Sequence, residues 1–232
     1  MDLLKKAIEA AIVSGRKIYE LYKTAEVQAT SKEDRTPLTN ADLLSNKTII
    51  DHLKDTGIPL MSEENKTVPF NERKNWQRLW IIDPLDGTKE FLKENGEFTV
   101  NIALIENNKP VLGVIYVPVT RELYYGDKEN GSYKTIIEDS QSPALITTEP
   151  DRLPFRDSGN DYTMVVSRSH MNDATRAYID SVKKTGKKIR TITRGSSLKI
   201  CMVAEGKADC YPRFAPTMEW DTAAGHAIAV FA

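Results

Sequence analysis

A short stretch of the sequence carries residues that could bind a metal ion and a phosphate together. The apolar residues 79–82 predict a buried strand, and Asp83 follows them directly. Pro84 removes a backbone donor, so we expect the strand to stop there. Asp86 comes three residues after Asp83, and the pair Gly87-Thr88 predicts the first turn of a helix. Carboxylate oxygens suit Mg²⁺ and the free amides of a helix start suit an anion, although turns rich in Asp and Gly are common without such sites.

Other acidic residues also lie at the ends of predicted elements. Asp42 is near the start of a helix, Glu63 and Glu64 follow a short strand, and Asp221 is near the start of the last helix. A single acid at such a position is usually a helix cap or a solvated turn residue. Together these carboxylates would raise one another's pKa values unless cations were bound. Converged on one cleft, they could hold two metal ions about 4 Å apart, bridged by Asp83, and hydrolyse a phosphate ester.

The composition indicates a globular protein of one large domain or two small ones. Its 232 residues can bury a full core, and 40% hydrophobic with 28% charged residues is ordinary for this class. The formal net charge of -1 argues against a nucleic acid partner, because there is no overall basic field. Cys201 and Cys210 match no thiol metal or redox spacing, and we expect Cys201 to be reduced and buried.

The N-terminal residues are amphipathic from the start and lack the apolar core of a signal peptide. No window approaches the roughly 20 apolar residues that a membrane-spanning helix needs. We therefore expect a cytoplasmic protein, and the sequence leaves open a peripheral contact with the inner face of the cell membrane. It also leaves open whether the protein is a monomer or a homodimer.

The apolar spacing in the first part of the chain predicts two helices followed by strands. Residues 4–22 repeat apolar side chains at helical intervals, and Thr39 with Asn40 would cap a second helix over residues 41–53. Strands are expected at residues 58–61, 79–82, 98–105 and 111–117, with turns at Asn107-Asn108 and at Gly126. This pattern indicates helices packed on an antiparallel sheet.

A segment rich in Ser, Thr and Pro, residues 139–154, predicts a domain boundary between residues 1–142 and 143–232. Beyond it the predicted elements alternate as strand 162–167, helix 174–183, strand 188–193, helix 196–204, strand 209–214 and a last helix from Trp220. Alternation of this kind indicates an α/β layer. The expected fold is therefore a layered sandwich, with an α+β first half and an α/β second half.

The order of the acidic motifs resembles the signature of the inositol monophosphatase superfamily. Those motifs are Asp42, the pair Glu63-Glu64, residues 83–88 and residues 220–225. Further segments resemble the CysQ-type 3'(2'),5'-bisphosphate nucleotidases of this superfamily, and these are residues 86–91, 95–105, 167–170, 195–199, 203–206 and 211–214. The resemblance covers essentially the whole chain. It implies an αβαβα layered fold and a Mg²⁺-dependent, lithium-sensitive phosphatase.

The resemblance also implies which residues bind metal and activate water. The ligands of two or three Mg²⁺ ions would be the backbone carbonyl of Leu85 and the side chains of Glu63, Asp83, Asp86 and Asp221. Glu64 would support this set without belonging to it. Asp42 and Thr88 would be the water-activating pair, in which Asp42 accepts a proton relayed through the Thr88 hydroxyl.

The same resemblance implies the contacts to substrate, a nucleotide with two phosphates. These contacts would be made by Glu63, Gly87, Thr88, His170, Ser196, Lys199, Arg213 and Asp221. Taken without the resemblance, four of these residues have simpler interpretations. Lys199 could be solvated on a helix, Ser196 could be a helix N-cap, His170 could be a loop residue and Arg213 could lie at a sheet edge.

The function implied by the resemblance is hydrolysis of adenosine 3',5'-bisphosphate to AMP and phosphate, linked to sulfate assimilation. An inositol or sugar monophosphatase of the same fold is the nearest alternative, because pocket details set specificity. A non-catalytic nucleotide-binding protein is a further alternative, although every implied ligand is present. Family members continue past the last helix with a glycine turn and further strands. Either the sequence is part of a longer chain or those strands are absent, and in the second case we expect an open sheet edge in the second half.

Overall fold

Two helices near the N-terminus form one outer layer of the molecule. The computed structural model describes residues 2–24, 27–31, 37–65, 68–138, 150–155, 161–167 and 171–232. Helix α1 (Leu3–Thr24) buries the apolar face that its spacing predicted. A short hairpin of β1 (Ala29–Ser31) and β2 (Pro37–Thr39) leads into α2 (Asn40–Leu53). Thr39 caps α2 by accepting hydrogen bonds from the first amides, so both predicted helices and the cap are confirmed.

A seven-stranded sheet lies beneath these helices, with its strands in chain order. The strands are β3 (Leu60–Ser62), β4 (Arg78–Asp86), β5 (Thr99–Glu106), β6 (Lys109–Val117), β7 (Glu122–Asp127), β8 (Gly131–Ile136) and β9 (Asp151–Arg152). β3 runs parallel to β4, and all the other neighbours are antiparallel. The sequence analysis missed β7 and β8 and wrongly placed a turn at Gly126, which pairs within β7. A Cβ at Gly126 would clash with the Ser132 side chain, which explains a glycine inside a strand.

Strand β4 does not stop at Pro84 as predicted. It continues to Asp86, and its register with β5 shifts between Asp83 and Asp86, which pair with Asn101 and Thr99. Three steps along β4 therefore match two along β5, which is a β-bulge. Proline is tolerated at a bulge because its missing N–H interrupts no ladder bond there. The bulge replaces the predicted strand end and directs this acidic segment toward the next helix.

The opposite face of the sheet is covered by helices from the C-terminal part of the chain. Two further helices, α3 (Phe70–Arg73) and α4 (Thr88–Leu92), are short connections of the first half. The covering helices are α6 (Leu198–Ala204) and α7 (Glu219–Phe231). Gly113 of β6 allows α7 to approach closely, because a Cβ there would clash with the Ala224 carbonyl. Asp221, on the first turn of α7, is thereby held against the sheet.

The fourth layer is a parallel pair, β10 (Tyr162–Ser167) and β11 (Ile189–Arg194), connected by α5 (Asp173–Lys183). The predicted strand over residues 209–214 is wrong, since Cys210 forms only an isolated bridge with Met164. Pro212 lacks the amide that would extend the pairing. Helices, mixed sheet, helices and parallel strands confirm the layered fold class. The predicted domain boundary falls within residues 139–149, outside the described residues, and stays a prediction. No helix in the described ranges is long and apolar enough to span a bilayer.

A buried charged cluster fastens the end of α6 to the large sheet. Glu205 is 2% exposed, and its Oε1 accepts hydrogen bonds from Tyr124 (2.8 Å) and Lys134 (2.6 Å). Lys207 lies 2.8 Å from Oε2, and Lys134 also contacts Glu122. Burial alone would raise the pKa of Glu205, but the hydrogen bonds from Lys134, Lys207 and Tyr124 lower it below the usual range. The cluster therefore holds Glu205 as an anion.

Removing this anion is expected to destabilise the protein. Glu205→Gln should lower the free energy of unfolding at pH 7 by about 3 kcal/mol, because Lys134 loses a buried partner. A lowered carboxyl pKa stabilises the native state above the unfolded pKa, and this stabilisation is lost as the pH falls through the folded pKa. Urea unfolding across this acidic range should therefore show a steeper loss in the wild type than in the variant. The control is Glu106→Gln, an exposed acid with two cation partners, which should cost less than about 1 kcal/mol.

Candidate active site

One cavity of about 540 Å³ brings together most of the residues that the sequence analysis predicted. It lies where the bulge of β4, the start of α4, the loop before α6 and the start of α7 meet. The predicted residues that line it are Glu63, Asp83, Leu85, Asp86, Gly87, Thr88, Ser196, Lys199, Arg213 and Asp221. Asp42 and Glu64 do not line it, and His170 lies outside the described residues. Acids from both halves of the chain therefore converge on one cleft.

Asp83 is the most deeply buried acid of this cavity. It is 1% exposed, and its Oδ1 has no hydrogen-bond partner among the described residues. Burial raises the pKa of Asp83 well above its usual range, and the nearby charges of Asp86, Glu63 and Asp221 raise it further. A buried carboxylate oxygen without a donor, among other carboxylates, suits a hard divalent cation.

The acids nevertheless also serve protein donors. In the described part of the chain, no three His, Cys, Asp or Glu side chains form a group that could hold a metal ion as they stand. Asp221 Oδ2 accepts hydrogen bonds from the Thr217 hydroxyl (2.6 Å), the Met218 amide (3.1 Å) and Arg213 (3.2 Å). Asp86 directs Oδ2 to Ser196 and to neighbouring donors. The carboxylates have the chemistry and the location to bind Mg²⁺. Because these hydrogen bonds orient them toward protein donors, their oxygens do not point to one common centre.

Asp42 caps helix α2 and also contacts Thr88, so the helix-cap interpretation does not exclude the predicted pairing with Thr88. Its Oδ2 accepts hydrogen bonds from the Thr39 amide (2.7 Å) and hydroxyl (2.5 Å), which completes the capping box of α2. Its Oδ1 accepts a hydrogen bond from the Thr88 hydroxyl at 3.2 Å. Asp42 is therefore a cap residue whose second oxygen reaches the side chain that lines the cavity.

The same face of α2 positions the two segments that carry acidic residues. Ser45 donates to the Pro84 carbonyl at 2.7 Å, beside the Leu85 carbonyl. Asn46 accepts from Ser62 at 2.8 Å and donates to Asn65 at 2.9 Å, which holds the Glu63-Glu64 turn between them. The sequence analysis missed these two residues. Their spacing from Asp42, three and four positions, is the signal of a polar helix face that could have identified them.

The loop before α6 brings Ser196 to the cavity in an unusual conformation. Ser196 has φ 50, which is rare for a residue other than glycine and marks a constrained loop. Helix α6 begins at Leu198, and the residue before it makes no side-chain cap bond. Ser196 is therefore not the N-cap, and its hydroxyl donates to Asp86 Oδ2 at 2.7 Å.

Two cations form the opposite side of the cavity. Lys199 is 5% exposed rather than solvated, and burial lowers its pKa while the charge of Asp86 opposes this shift. Its Nζ donates to the Ser196 carbonyl and lies 5.5 Å from the centre of the Tyr211 ring. Arg213 is not at a sheet edge, since no strand forms there. It donates to the Tyr211 hydroxyl at 3.0 Å, and its buried Nε has no partner among the described residues.

A protein-family model matches almost the whole sequence of this chain. The model described as "Inositol monophosphatase family" matches residues 1–230 of the chain. The chain belongs to the inositol monophosphatase family. Relatives within it include the 3'(2'),5'-bisphosphate nucleotidase CysQ of Salmonella typhimurium, which is 43% identical over 99% of this chain and 88% of that protein. CysQ of Haemophilus influenzae is 36% identical over 95% of this chain and 78% of that protein.

Solved structures of this family have the same fold. CysQ from Bacteroides thetaiotaomicron superposes with a TM-score of 0.85 and 48% identity, covering 97% of this chain and 84% of that one. The extragenic suppressor protein suhB from Bartonella henselae has a TM-score of 0.78 and 24% identity, covering 100% and 85%. The second similarity shows the inositol monophosphatase fold alone, whereas the first is a close relative in sequence as well.

Proposed function

We propose that the chain is a 3'(2'),5'-bisphosphate nucleotidase that hydrolyses adenosine 3',5'-bisphosphate to AMP and phosphate, and that it serves sulfate assimilation. The observation that carries the proposal is the shared cavity, which Asp83 and its acidic neighbours line together with the buried Lys199 and the half-buried Arg213. One side suits a metal-bound scissile phosphate, and the other suits a second phosphate. The named activity of the Salmonella typhimurium relative supports this substrate class.

The acidic side of the cavity would hold the metal. Its ligands would be the Leu85 carbonyl and the carboxylates of Glu63, Asp83, Asp86 and Asp221, with two or three Mg²⁺ ions and Glu64 in support. When bound, Mg²⁺ supplies positive charge for the phosphoryl oxygens and lowers the pKa of a bound water. The unpartnered Oδ1 of Asp83 is the feature of this chain that most favours such an occupant.

The protein itself supplies a route for the proton of the attacking water. The Thr88 hydroxyl lies 3.2 Å from Asp42 Oδ1 and 3.4 Å from the Leu85 carbonyl, and when it donates its hydrogen to Asp42 a lone pair of Oγ1 can accept a proton from water. As that proton arrives, the original hydroxyl proton passes to Asp42 Oδ1. Asp42 stays oriented during this transfer because its other oxygen is fixed by Thr39.

The remaining residues would orient the nucleotide. The amides of Gly87 and Thr88 stand at the turn into α4, where they can donate to the scissile phosphate. Lys199 and Arg213 would bind the second phosphate through charge-assisted hydrogen bonds, and Arg213 also pairs with Asp221 at 3.2 Å. A monophosphate substrate would leave the buried Lys199 without an anion, which disfavours the inositol or sugar monophosphatase alternative. His170 remains a proposed nucleotide contact.

A substrate panel tests this function directly. With Mg²⁺ present, kcat/KM for adenosine 3',5'-bisphosphate should exceed that for inositol monophosphate by about a hundredfold, the range that one mismatched group produces. Chelation should abolish the release of phosphate, and added Mg²⁺ should restore it. Faster turnover of inositol monophosphate would support the alternative phosphatase. Nucleotide binding without phosphate release under every metal condition would support the non-catalytic alternative.

We propose that the protein is cytoplasmic and that it is a monomer or a homodimer. Any contact with the membrane would be peripheral. The exposed segment 183–190 carries cations at five of its eight positions, which favours an anionic surface. Two of these cations are paired with acids, Lys183 with Asp180 and Lys188 with Asp161, which weakens the attraction. Co-sedimentation with anionic vesicles at low and physiological salt would decide whether such contact exists.

A further inference from the structure

Asp86 belongs to a ring of hydrogen bonds formed by five side chains. Its Oδ2 accepts from Ser196 (2.7 Å) and from Ser197 (2.6 Å). Ser197 in turn accepts from the amide of Asn101 at 2.9 Å, and Asn101 Oδ1 accepts from Thr99 at 2.9 Å. Thr99 closes the ring, with its hydroxyl 2.7 Å from that of Ser196. The ring joins the bulge of β4, the start of β5 and the loop before α6.

The available hydrogens give this ring a direction. Each hydroxyl carries one hydrogen, and an ionised carboxylate only accepts. With Asp86 ionised, Ser196 and Ser197 both donate their hydrogen to Oδ2, and Thr99 has a single hydrogen, which it donates either to Asn101 Oδ1 or to Ser196. The amide of Asn101 then supplies the hydrogen that Ser197 accepts, and also approaches Oδ2 itself at 3.4 Å. The hydrogen bond that Asn101 donates to Ser197 thus orients the Ser197 hydroxyl toward Asp86.

The ring is buried, so its geometry has few alternatives. Thr99 is 0% exposed, Asn101 1% and Ser197 3%. A buried polar group that loses its partner costs about 1–3 kcal/mol, which favours the hydrogen-bonded path from Asn101 through Ser197 to Asp86 over arrangements that leave Ser197 unpaired. The bulge places Asp83 and Asp86 opposite Asn101 and Thr99, so the irregular strand and the ring occur at the same place.

The ring fixes one oxygen of Asp86 and leaves the other available. Oδ2 accepts three donors, whereas Oδ1 accepts none among the described residues, and Asp86 lines the cavity. From these contacts we infer that Asn101 and Ser197 are positioning residues, which orient Asp86 toward a divalent cation and connect it to the loop that carries Ser196, directly before the helix that carries Lys199. This inference rests on the proposed function only in taking Mg²⁺ as the occupant of the acidic side.

The test is the affinity for Mg²⁺ alone, measured by isothermal titration calorimetry of the full chain without substrate. Ser197→Ala and Asn101→Ala should each raise the Kd for Mg²⁺ about tenfold or more, as expected when a ligand loses the group that orients it. The Kd of the double variant should exceed the higher of the two single-variant Kd values by no more than about twofold, because both residues act through one chain of hydrogen bonds. Ser197→Thr keeps the hydroxyl and should stay within about threefold of the wild type.

The matched control is Ser132→Ala. Ser132 is also fully buried and donates to a backbone carbonyl, that of Ile228, away from Asp86. This variant should lose thermal stability as Ser197→Ala does and bind Mg²⁺ as the wild type does. A wild type that binds Mg²⁺ while Ser197→Ala binds it equally well overturns the inference alone. A wild type that binds no Mg²⁺ overturns the proposed metal site together with it. If Asn101→Ala fails to fold, the comparison of Ser197→Ala with Ser132→Ala gives the decision.

Discussion

Asp83→Asn is expected to lower kcat/KM for the bisphosphate nucleotide by about a thousandfold. Metal ions contribute several kcal/mol of transition-state stabilisation, and about 4 kcal/mol is a thousandfold in rate. Asp83 has the most central position of the acids, since Asp86, Glu63 and Asp221 all raise its pKa. Phosphate release at saturating Mg²⁺ measures the effect. Activity above about a tenth of the wild type would show that Asp83 is not a metal ligand.

The same substitution should stabilise the metal-free protein. An uncompensated buried carboxylate destabilises the native state, whereas asparagine keeps the shape and removes the charge. We expect the free energy of unfolding in chelator to rise by about 1–2 kcal/mol, and Mg²⁺ to stabilise the variant less than the wild type. Asp51→Asn, which removes an exposed acid paired with Lys54, is the control and should change neither quantity measurably. Lower activity with higher stability would distinguish a lost ligand from a damaged fold.

The sequence predicted the elements that have regular periodicity. Helices α1 and α2, and strands β5, β6 and β10, lie within one to three residues of their predicted bounds, because apolar spacing and the Thr39 cap are local signals. Strands β7 and β8 were missed because their interior includes Gly126 and Ser132, and only the contact between those residues explains them. Pro84 was misinterpreted for the same reason, since the bulge that accommodates it exists only through pairing with β5.

The candidate site was predictable as a set of acids, and its supporting residues were not. The resemblance to a family supplied the positions of Asp83, Asp86 and Asp221, whereas nothing local shows that they converge. Asn101 has the appearance of an ordinary polar residue in a strand, and Ser45 that of an ordinary polar residue in a helix. Their partners are distant in the sequence, since Asp86 and Ser197 lie 15 and 96 positions from Asn101 and Pro84 lies 39 positions from Ser45. The spacing of Ser45 from Asp42 is a helical signal, whereas the hydrogen bonds of Asn101 leave no periodic trace in the sequence.

The capping box of α2 gives Asp42 the orientation that its proposed role as a proton acceptor needs. Asp42 is at the third position of its helix, where a carboxylate stabilises the helix start. That position fixes Oδ2 on Thr39 and so leaves Oδ1 in a defined direction toward Thr88. The helix cap thus orients Asp42, the proposed proton acceptor, without a separate supporting residue.

Asp42→Asn should therefore lower kcat by about 10²- to 10⁴-fold with little change in KM, the range expected for general base catalysis. Asparagine can still cap the helix through its oxygen, but its amide then faces Thr88 and donates where Asp42 accepted. Thr88→Val should cause a similar loss, and the double variant should be no worse than either, because the two residues act as a unit. Thr39→Ala is the control that removes the cap hydroxyl and keeps the acceptor. It should cost about 1 kcal/mol of stability and less than about tenfold in kcat. If Asp42→Asn keeps more than a tenth of the wild-type kcat, or if its effect adds to that of Thr88→Val, the proton does not pass from Thr88 to Asp42.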